Sequence, residues 1–350
     1  MCDETRAWQS HKTIPVSEAV GAILVHDITE IRPGEFKGRA FRRGHIVRPE
    51  DVCHLKRLGK ERLFVLDIPK DEMHEDDAAM VVGEALAGRG AFAEGPPKEG
   101  KINIVAGMDG LLKVDKDALL KFNTSGDVMC ATLHDNTVVK SGMTIGAARA
   151  IPLTVKRDAV MGAVKAAGEA GVLSVREMRM PVAGVVVTGN EVYYGRVKDG
   201  FSDIIKGKVE SFGGTVIDTL YAPDEEEAIA SCLRDLLRAG ADLLVTTGGM
   251  SVDPDDVTRF AIKSLGGDEI SYGTAALPGS MTLVAWIGDV PVIGVPACGL
   301  YHKATAFDLI LPRVLAGDRV GRFELAALGH GGLCLGCEEC RFPNCPFGKQ

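Results

Sequence analysis

No apolar run in the sequence approaches the length of a membrane span, and the opening residues 1–10 are polar and mixed in charge. A membrane segment is therefore not expected, and the chain reads as soluble and cytoplasmic. A positive surplus is missing too. The net charge is −8 and the isoelectric point is near 5.6, which argues against a nucleic-acid partner. Basic residues do cluster between Arg32 and Arg62, but acidic ones intersperse them, as on a solvated surface. There is no internal repeat. His26, His45, His54, His74 and His134 lack ligand-like spacing and read as ordinary surface or core histidines. Against these absences stand 350 residues, 46% hydrophobic and 25% charged, enough for two or three globular domains. Nine cysteines do not make a disulfide framework, because four crowd into the last stretch and the others are scattered. That distribution fits a reducing compartment and one metal site.

Residues 242–258, DLLVTTGGMSVDPDDVT, organise the rest. Leu243, Leu244 and Val245 form the short apolar run of a strand buried on both faces, and it stops at Thr246, Thr247, Gly248 and Gly249. Asp253 suits a helix N-cap and Pro254 the first helical position, predicting a helix over 255–265. Two glycines, the Thr and Ser hydroxyls and free helix amides favour phosphate or a similar anion. Asp253, Asp255 and Asp256 crowd the same place, and carboxylates beside a phosphate imply a bridging divalent cation. The same residues also fit a tight turn followed by a plain helix start.

Along the chain, 16–29 reads as a strand region, 52–58 as a helix opened by Pro49, 63–66 as a strand and 71–86 as a second helix. Gly95-Pro96-Pro97 marks a module boundary. Residues 101–153 carry short strands broken by Gly, Asp and Asn, and 158–170 a helix. From Val182 strands and helices alternate: strand 182–187, helix 201–212, strand 215–221, helix 224–238, strand 243–246, then strand 290–295 and helix 300–315. This order predicts an α/β fold with a doubly wound, mostly parallel sheet, in which ligands sit at the carboxyl ends of the strands. Three turns meet that description: 188–191, Pro223-Asp224 and 247–256. A fourth, at 296–299, closes strand 290–295. The expected organisation is an N-terminal α+β module at 1–95, a small β-rich module with a linking helix at 96–180, the α/β domain at 181–320 and a Cys-rich tail at 321–350.

With the loops in that order, 182–317 resembles the molybdopterin-binding domain shared by molybdopterin adenylyltransferases and molybdopterin molybdotransferases. Thr188-Gly189-Asn190-Glu191-Val192 is similar to a Thr-Gly-Asp-Glu-Leu turn, Thr246-Thr247-Gly248-Gly249-Met250-Ser251-Val252 to Thr-Thr-Gly-Gly-Val-Ser-Val, and Gly294-Val295-Pro296 to the start of Gly-Leu-Pro-Gly-Asn-Pro. Pro254-Asp255-Asp256-Val257-Thr258 and Ala222-Pro223-Asp224-Glu225 resemble the adenylyltransferase patterns Pro-Arg-Asp-Val-Thr and Ile-Pro-Asp-Glu. The resemblance implies Asp224 and Asp256 as acidic site residues holding Mg²⁺. It implies Thr188, Gly189, Glu191, Thr247, Gly248, Gly249, Met250, Ser251 and Pro296 as the cradle for molybdopterin or its adenylylated form. Insertion of molybdate with release of AMP, a role toward a molybdenum or tungsten enzyme, and a homo-oligomer follow from the same likeness. Departures are clear. Asn190 replaces an Asp, Asp253 replaces a Gly, Ala297-Cys298-Gly299 replaces Gly-Asn-Pro, and the molybdotransferases' Thr-Gly-Ala-Pro-hydrophilic loop is missing. A non-catalytic carrier or sensor, and a nucleotide pyrophosphatase like the competence-damage-inducible family, remain open alternatives.

Gly329 to Gly332 reads as a flexible hinge into Cys334, Cys337, Cys340 and Cys345, the last followed by Pro346. Two-residue gaps let neighbouring thiolates share one metal centre. The spacing resembles the ferredoxin cluster motif with one extra residue in its final gap, so an iron-sulfur cluster or Zn²⁺ is expected.

Overall fold

The computed structural model describes residues 13–32, 35–64, 68–249 and 257–349. The chain divides into two compact units. One comprises Met1–Met108, Lys113–Leu133 and Val139–Val175, the other Asp109–Leu112, His134–Val138 and Arg176–Gln350. Among the described residues no helix is long and apolar enough to cross a membrane.

In the first unit, the antiparallel pair Ile28–Arg32 and Phe36–Phe41 and the helix Asp51–Arg57 enclose Val16, Ala19, Leu24, Ile28 and Leu55. The region around Val16 is not the strand that its apolar content suggests. It makes one 3-10 turn at Val16–Glu18 directly after the short strand Thr13–Pro15, and strand resumes at Ile28. Val16 and Ala19 are three apart, so a turn puts both on one side, and the Ala19 N–H closes it on Val16 O at 3.2 Å. Farther on, an antiparallel sheet in the order Ala91–Lys98, Lys101–Ala106, Thr144–Ala150 and Val128–Thr132 packs against the helix Glu75–Leu86. The helix Lys116–Asn123 escapes sequence reading because it is only eight residues long and lies among short strands. It starts where Asp115 Oδ1 accepts the Ala118 N–H at 2.9 Å.

The helix Glu75–Leu86 starts later than its acidic opening suggests, because Glu72–His74 is drawn into pairing with Thr154–Lys156. His74 caps it. Its Nδ1 accepts the Asp76 N–H at 3.1 Å and its Nε2 donates to Val25 O at 2.5 Å. That geometry holds a neutral ring, and burial together with the Arg43 charge lowers its pKa. The next residue, Glu75, is only 8% exposed, and burial with the Asp76 charge beside it pushes its carboxyl up to about 7. Folded protein thus holds a proton on Glu75 over a range, from the ordinary 4.5 to about 7, in which the unfolded chain has released it. Stability from this group is present at low pH and is lost as pH rises through that window. Urea unfolding of wild type and Glu75→Gln at several pH values checks this. Wild type should fall progressively below the variant as pH rises through the window, and parallel profiles would contradict it.

The second unit is built on a six-stranded sheet. In chain order its elements are β1 (Val182–Thr188), α1 (Asn190–Tyr193), α2 (Phe201–Glu210), β2 (Thr215–Ala222), α3 (Glu226–Arg238), β3 (Leu243–Thr247), α4 (Thr258–Ser264), β4 (Asp268–Tyr272), β5 (Leu283–Ile287), β6 (Val290–Val295), α5 (Ala306–Leu315) and α6 (Arg322–Ala327). The sheet order is β2-β1-β3-β6-β5-β4. The first four strands are parallel, β5 pairs antiparallel with β6, and β4 pairs antiparallel with β5 at the edge. Successive residues of the central strands serve opposite faces. Val185, Val187, Val245 and Ile293 pack with Ile205 of α2 and Phe307 of α5; Val186, Leu244 and Val292 pack with Leu233 of α3 and Ile262 of α4. Continuous apolar runs are what two covered faces require.

Three sequence expectations change here. The helix expected from Leu300 begins at Ala306, because Thr305 and Asp308 form a capping box: the Thr305 N–H donates to Asp308 Oδ2 at 2.7 Å and the Phe307 N–H to Thr305 Oγ1 at 3.2 Å. Among the described residues, α4 runs from Thr258; Asp253 to Asp256, including the expected cap, lie outside them. The glycine hinge is anchored, since Gly332 is buried and its carbonyl accepts the Leu277 N–H at 2.7 Å, while Gly331 O accepts the Gly348 N–H at 2.9 Å.

Candidate functional site

Four parallel strands end level with one another. Thr188 of β1 stands opposite Ala222 of β2, Val187 opposite Thr247 of β3, and Thr247 opposite Val295 of β6. The turns 189–191, 223–225, 248–249 and 296–299 therefore leave from one carboxyl edge. Asn190 and Asp224 tie two of them together: the Asn190 N–H donates to Asp224 Oδ2 at 2.9 Å, and the Asp224 N–H to Asn190 Oδ1 at 3.4 Å. An aspartate at 190 would set a second carboxylate across this contact. The amide accepts the same N–H without that repulsion.

At Gly248 and Gly249 the backbone takes φ of 83° and 60°, in the left-handed region. A Cβ at 248 would lie 2.5 Å from Thr188 O, and one at 249 would lie 2.4 Å from Thr258 Oγ1. Bare backbone is needed on both counts. Among the described residues the Thr246, Thr247 and Thr258 hydroxyls are buried and meet no hydrogen-bond partner, whereas Thr188 Oγ1 donates to Thr247 O at 2.9 Å. An unpaired buried hydroxyl costs about 1–3 kcal/mol. Ligand oxygens reaching the Gly248–Gly249 turn would relieve that cost at Thr247 and Thr258.

Nearby, Asp199 accepts the Phe201 N–H at 2.7 Å and the Tyr221 hydroxyl at 3.1 Å. Burial alone would raise the Asp199 carboxyl, but hydrogen bonds from Ser202, Phe201 and Tyr221 outweigh it and hold the group below the usual carboxylate range. Cys298, in the turn after β6, is half-buried, and burial raises its thiol pKa. It is therefore protonated at neutral pH and poorly suited to act as a nucleophile.

Residues 184–316 match the family model described as a probable molybdopterin binding domain. That stretch is a molybdopterin-binding-type domain. A second model, described only as a domain of unknown function, matches residues 13–67. A CinA-like protein of Geobacter sp. strain M21 is 31% identical over 172 residues, 49% of this chain and 37% of that protein. The molybdopterin molybdenumtransferase of Bacillus subtilis strain 168 is 28% identical over 131 residues, 35% of this chain and 30% of that protein. The chain thus spans between 22% and 37% of the length of these and similar curated relatives. Among solved structures, the molybdopterin biosynthesis enzyme MoaB from Thermus thermophilus is 21% identical, covering 39% of this chain and 98% of that one with a TM-score of 0.34.

Of the residues singled out in the sequence, Thr188, Gly189, Glu191, Asp224, Thr247, Gly248, Gly249 and Pro296 all fall at the carboxyl edge of the molybdopterin-binding domain. Met250, Ser251 and Asp256 lie outside the described residues. Sequence reading missed Thr258 as a site hydroxyl and missed the Asp199–Tyr221 pair. Thr258 had a signal, standing within the Pro254 to Thr258 motif, but the pairing of Asp199 with Tyr221 depends on the fold. Cys334, Cys337, Cys340 and Cys345 are free thiols lining one cavity of about 290 Å³. Among the described residues, no three His, Cys, Asp or Glu side chains are grouped to hold a single ion.

The glycine turn gives a direct test. Gly248→Ala should lower stability by about 1–3 kcal/mol, the cost of a strained left-handed residue. Gly207→Ala, in α2 with open space around its Cβ, should be neutral or stabilising by about 0.5–1 kcal/mol. Chemical denaturation of the two variants measures the contrast, and equal stabilities would refute the strain argument.

Proposed function

We propose that this protein binds molybdopterin, or its adenylylated form, at the carboxyl edge of its parallel sheet and acts in molybdenum cofactor biosynthesis. The observation that carries this reading is the Gly248–Gly249 turn, level with the Asn190–Asp224 pair and flanked by the buried Thr247 and Thr258 hydroxyls, which meet no partner among the described residues. Open backbone and unsatisfied hydroxyls suit a phosphate group. The family match over residues 184–316 supports the same ligand.

In its finer form the proposal is a transferase. Molybdate enters the dithiolene of adenylylated molybdopterin, one of its oxygens leaving with the two thiol protons as water, and a water molecule cleaves the phosphoanhydride so that AMP leaves and the other phosphate stays on the pterin. Thr188, Gly189, Glu191, Thr247, Gly248, Gly249, Met250, Ser251 and Pro296 hold the pterin and its phosphate. Asp224 and Asp256 would hold Mg²⁺, which supplies charge compensation at the phosphates. The four tail cysteines bind a second metal centre, and a molybdenum or tungsten enzyme receives the product.

The test is incubation with adenylylated molybdopterin, Mg²⁺ and molybdate. AMP should be released over many turnovers, and Asp224→Asn should slow release by about 10-fold or more. Tight pterin binding without AMP release would leave a carrier or sensor. The similarity to CinA-like proteins favours one further reading, a nucleotide pyrophosphatase; hydrolysis of ADP-ribose, with no pterin bound, would replace the proposal by that one.

A further inference from the structure

The tail of the second unit has no helix or strand from Cys334 to Lys349, yet it is held in place. Its entry is fixed where the Cys334 N–H donates to Leu277 O at 2.8 Å, and its exit where the Gly348 N–H donates to Gly331 O at 2.9 Å. Phe347, 2% exposed, is the buried anchor beside that exit. Between these fixed points the backbone hydrogen bonds are few and local, Asn344 to Arg341 O at 2.7 Å and Lys349 to Pro346 O at 3.0 Å. So short a loop cannot bury enough apolar surface to order itself, and a metal centre is the usual substitute.

Its shape says which kind of centre. All four cysteines line a single cavity of about 290 Å³, whose wall also includes Tyr301, His302 and Lys303. One Zn²⁺ held by four thiolates, with Zn–S bonds of about 2.3 Å, draws the sulfurs together and leaves no such void. The four cysteines here instead share the wall of an open space, and among the described residues no three are grouped for a single ion. We propose that this cavity is the seat of one [4Fe–4S] cluster ligated by Cys334, Cys337, Cys340 and Cys345.

The spacing C-x₂-C-x₂-C-x₄-C-P supports this through its departure from the ferredoxin run. There the final cysteine, after a gap of three, ligates a second cluster. Here the chain provides one set of four, and the last cysteine must turn back to the same centre. The extra residue provides that reach, and the Gly331–Gly348 contact with the buried Phe347 sets Cys345 on the same cavity as the other three. Each cysteine binds as a thiolate, so ligation releases four thiol protons.

The cavity wall also connects to the sheet edge. Tyr301 and His302 donate their N–H groups to Cys298 O, each at 3.1 Å, in the turn that closes β6. A cluster in the tail is thus attached to the loop that leaves the candidate pterin site. The proposal deepens the metal-tail reading above and is independent of the pterin reading, because iron and pterin are assayed separately.

The experiment is anaerobic purification of the full chain followed by iron, zinc and acid-labile sulfide analysis, with electron paramagnetic resonance after one-electron reduction. About four irons and four sulfides per chain and a cubane-type signal are expected. Cys337→Ser and Cys340→Ser, at exposed positions, should lose most of the iron, while Cys53→Ser, on the surface of the other unit, should keep it. Alkylation of the intact wild type, read by mass spectrometry, gives an answer even where a variant fails to fold. The four tail cysteines should be protected and Cys53 modified. Stoichiometric zinc without iron, absence of any metal, or free alkylation of the tail would each overturn the proposal. Bound pterin without iron defeats this proposal alone; iron without pterin defeats only the pterin reading.

Discussion

The backbone ladder that pairs Leu243–Thr247 with a parallel strand on each side governs the second unit. Its register sets Thr247 opposite Val187 on one side and Val295 on the other, so that several turns leave the sheet at one level. A slip of one residue would move each turn by about 3.3 Å and exchange the two faces of the strand. Both exchanges are opposed by packing, because Val245 and Leu244 fill separate cores above and below the sheet. The apolar side chains thereby position a polar edge to which they contribute no chemistry themselves.

At that edge the cost of the arrangement is visible. Two glycines hold left-handed backbone close to Thr188 and Thr258, and threonine hydroxyls are buried with no partner among the described residues. Neither feature helps the free protein to fold. A tight βα turn needs one glycine at most, and a core threonine is normally satisfied or replaced by valine. Their concentration beside the Asn190–Asp224 contact is the physical basis for the ligand proposal, and the family match gives that ligand its chemical identity.

Much of this is legible in the sequence for identifiable reasons. β1, β3 and β6 are continuous apolar runs ending in Gly, Thr or Pro, a pattern that strands covered on both faces produce. Strands β4 and β5 escape the same reading, although Gly288-Asp289 between Ile287 and Val290 is a two-residue hairpin signal. The 3-10 turn at Val16 reads as strand because an apolar count ignores spacing. The late start of α5 depends on Thr305 and Asp308, a capping box present in the sequence but hidden within a longer helical pattern. The glycine turn of the site is readable because glycine after a buried strand has few uses. The pairing of Asp199 with Tyr221 is not, because residues on separate elements meet only once the sheet has formed.

The central claim is that pterin binds where the parallel strands end. Amide hydrogen exchange with and without molybdopterin tests it most directly, since bound phosphate and pterin must slow exchange at the backbone groups they cover. Protection is predicted at residues 189–191, 223–225, 248–249 and 297–300, with little change in the first unit. Protection confined to other segments, or exchange unaltered at a pterin concentration that saturates binding, would contradict the account.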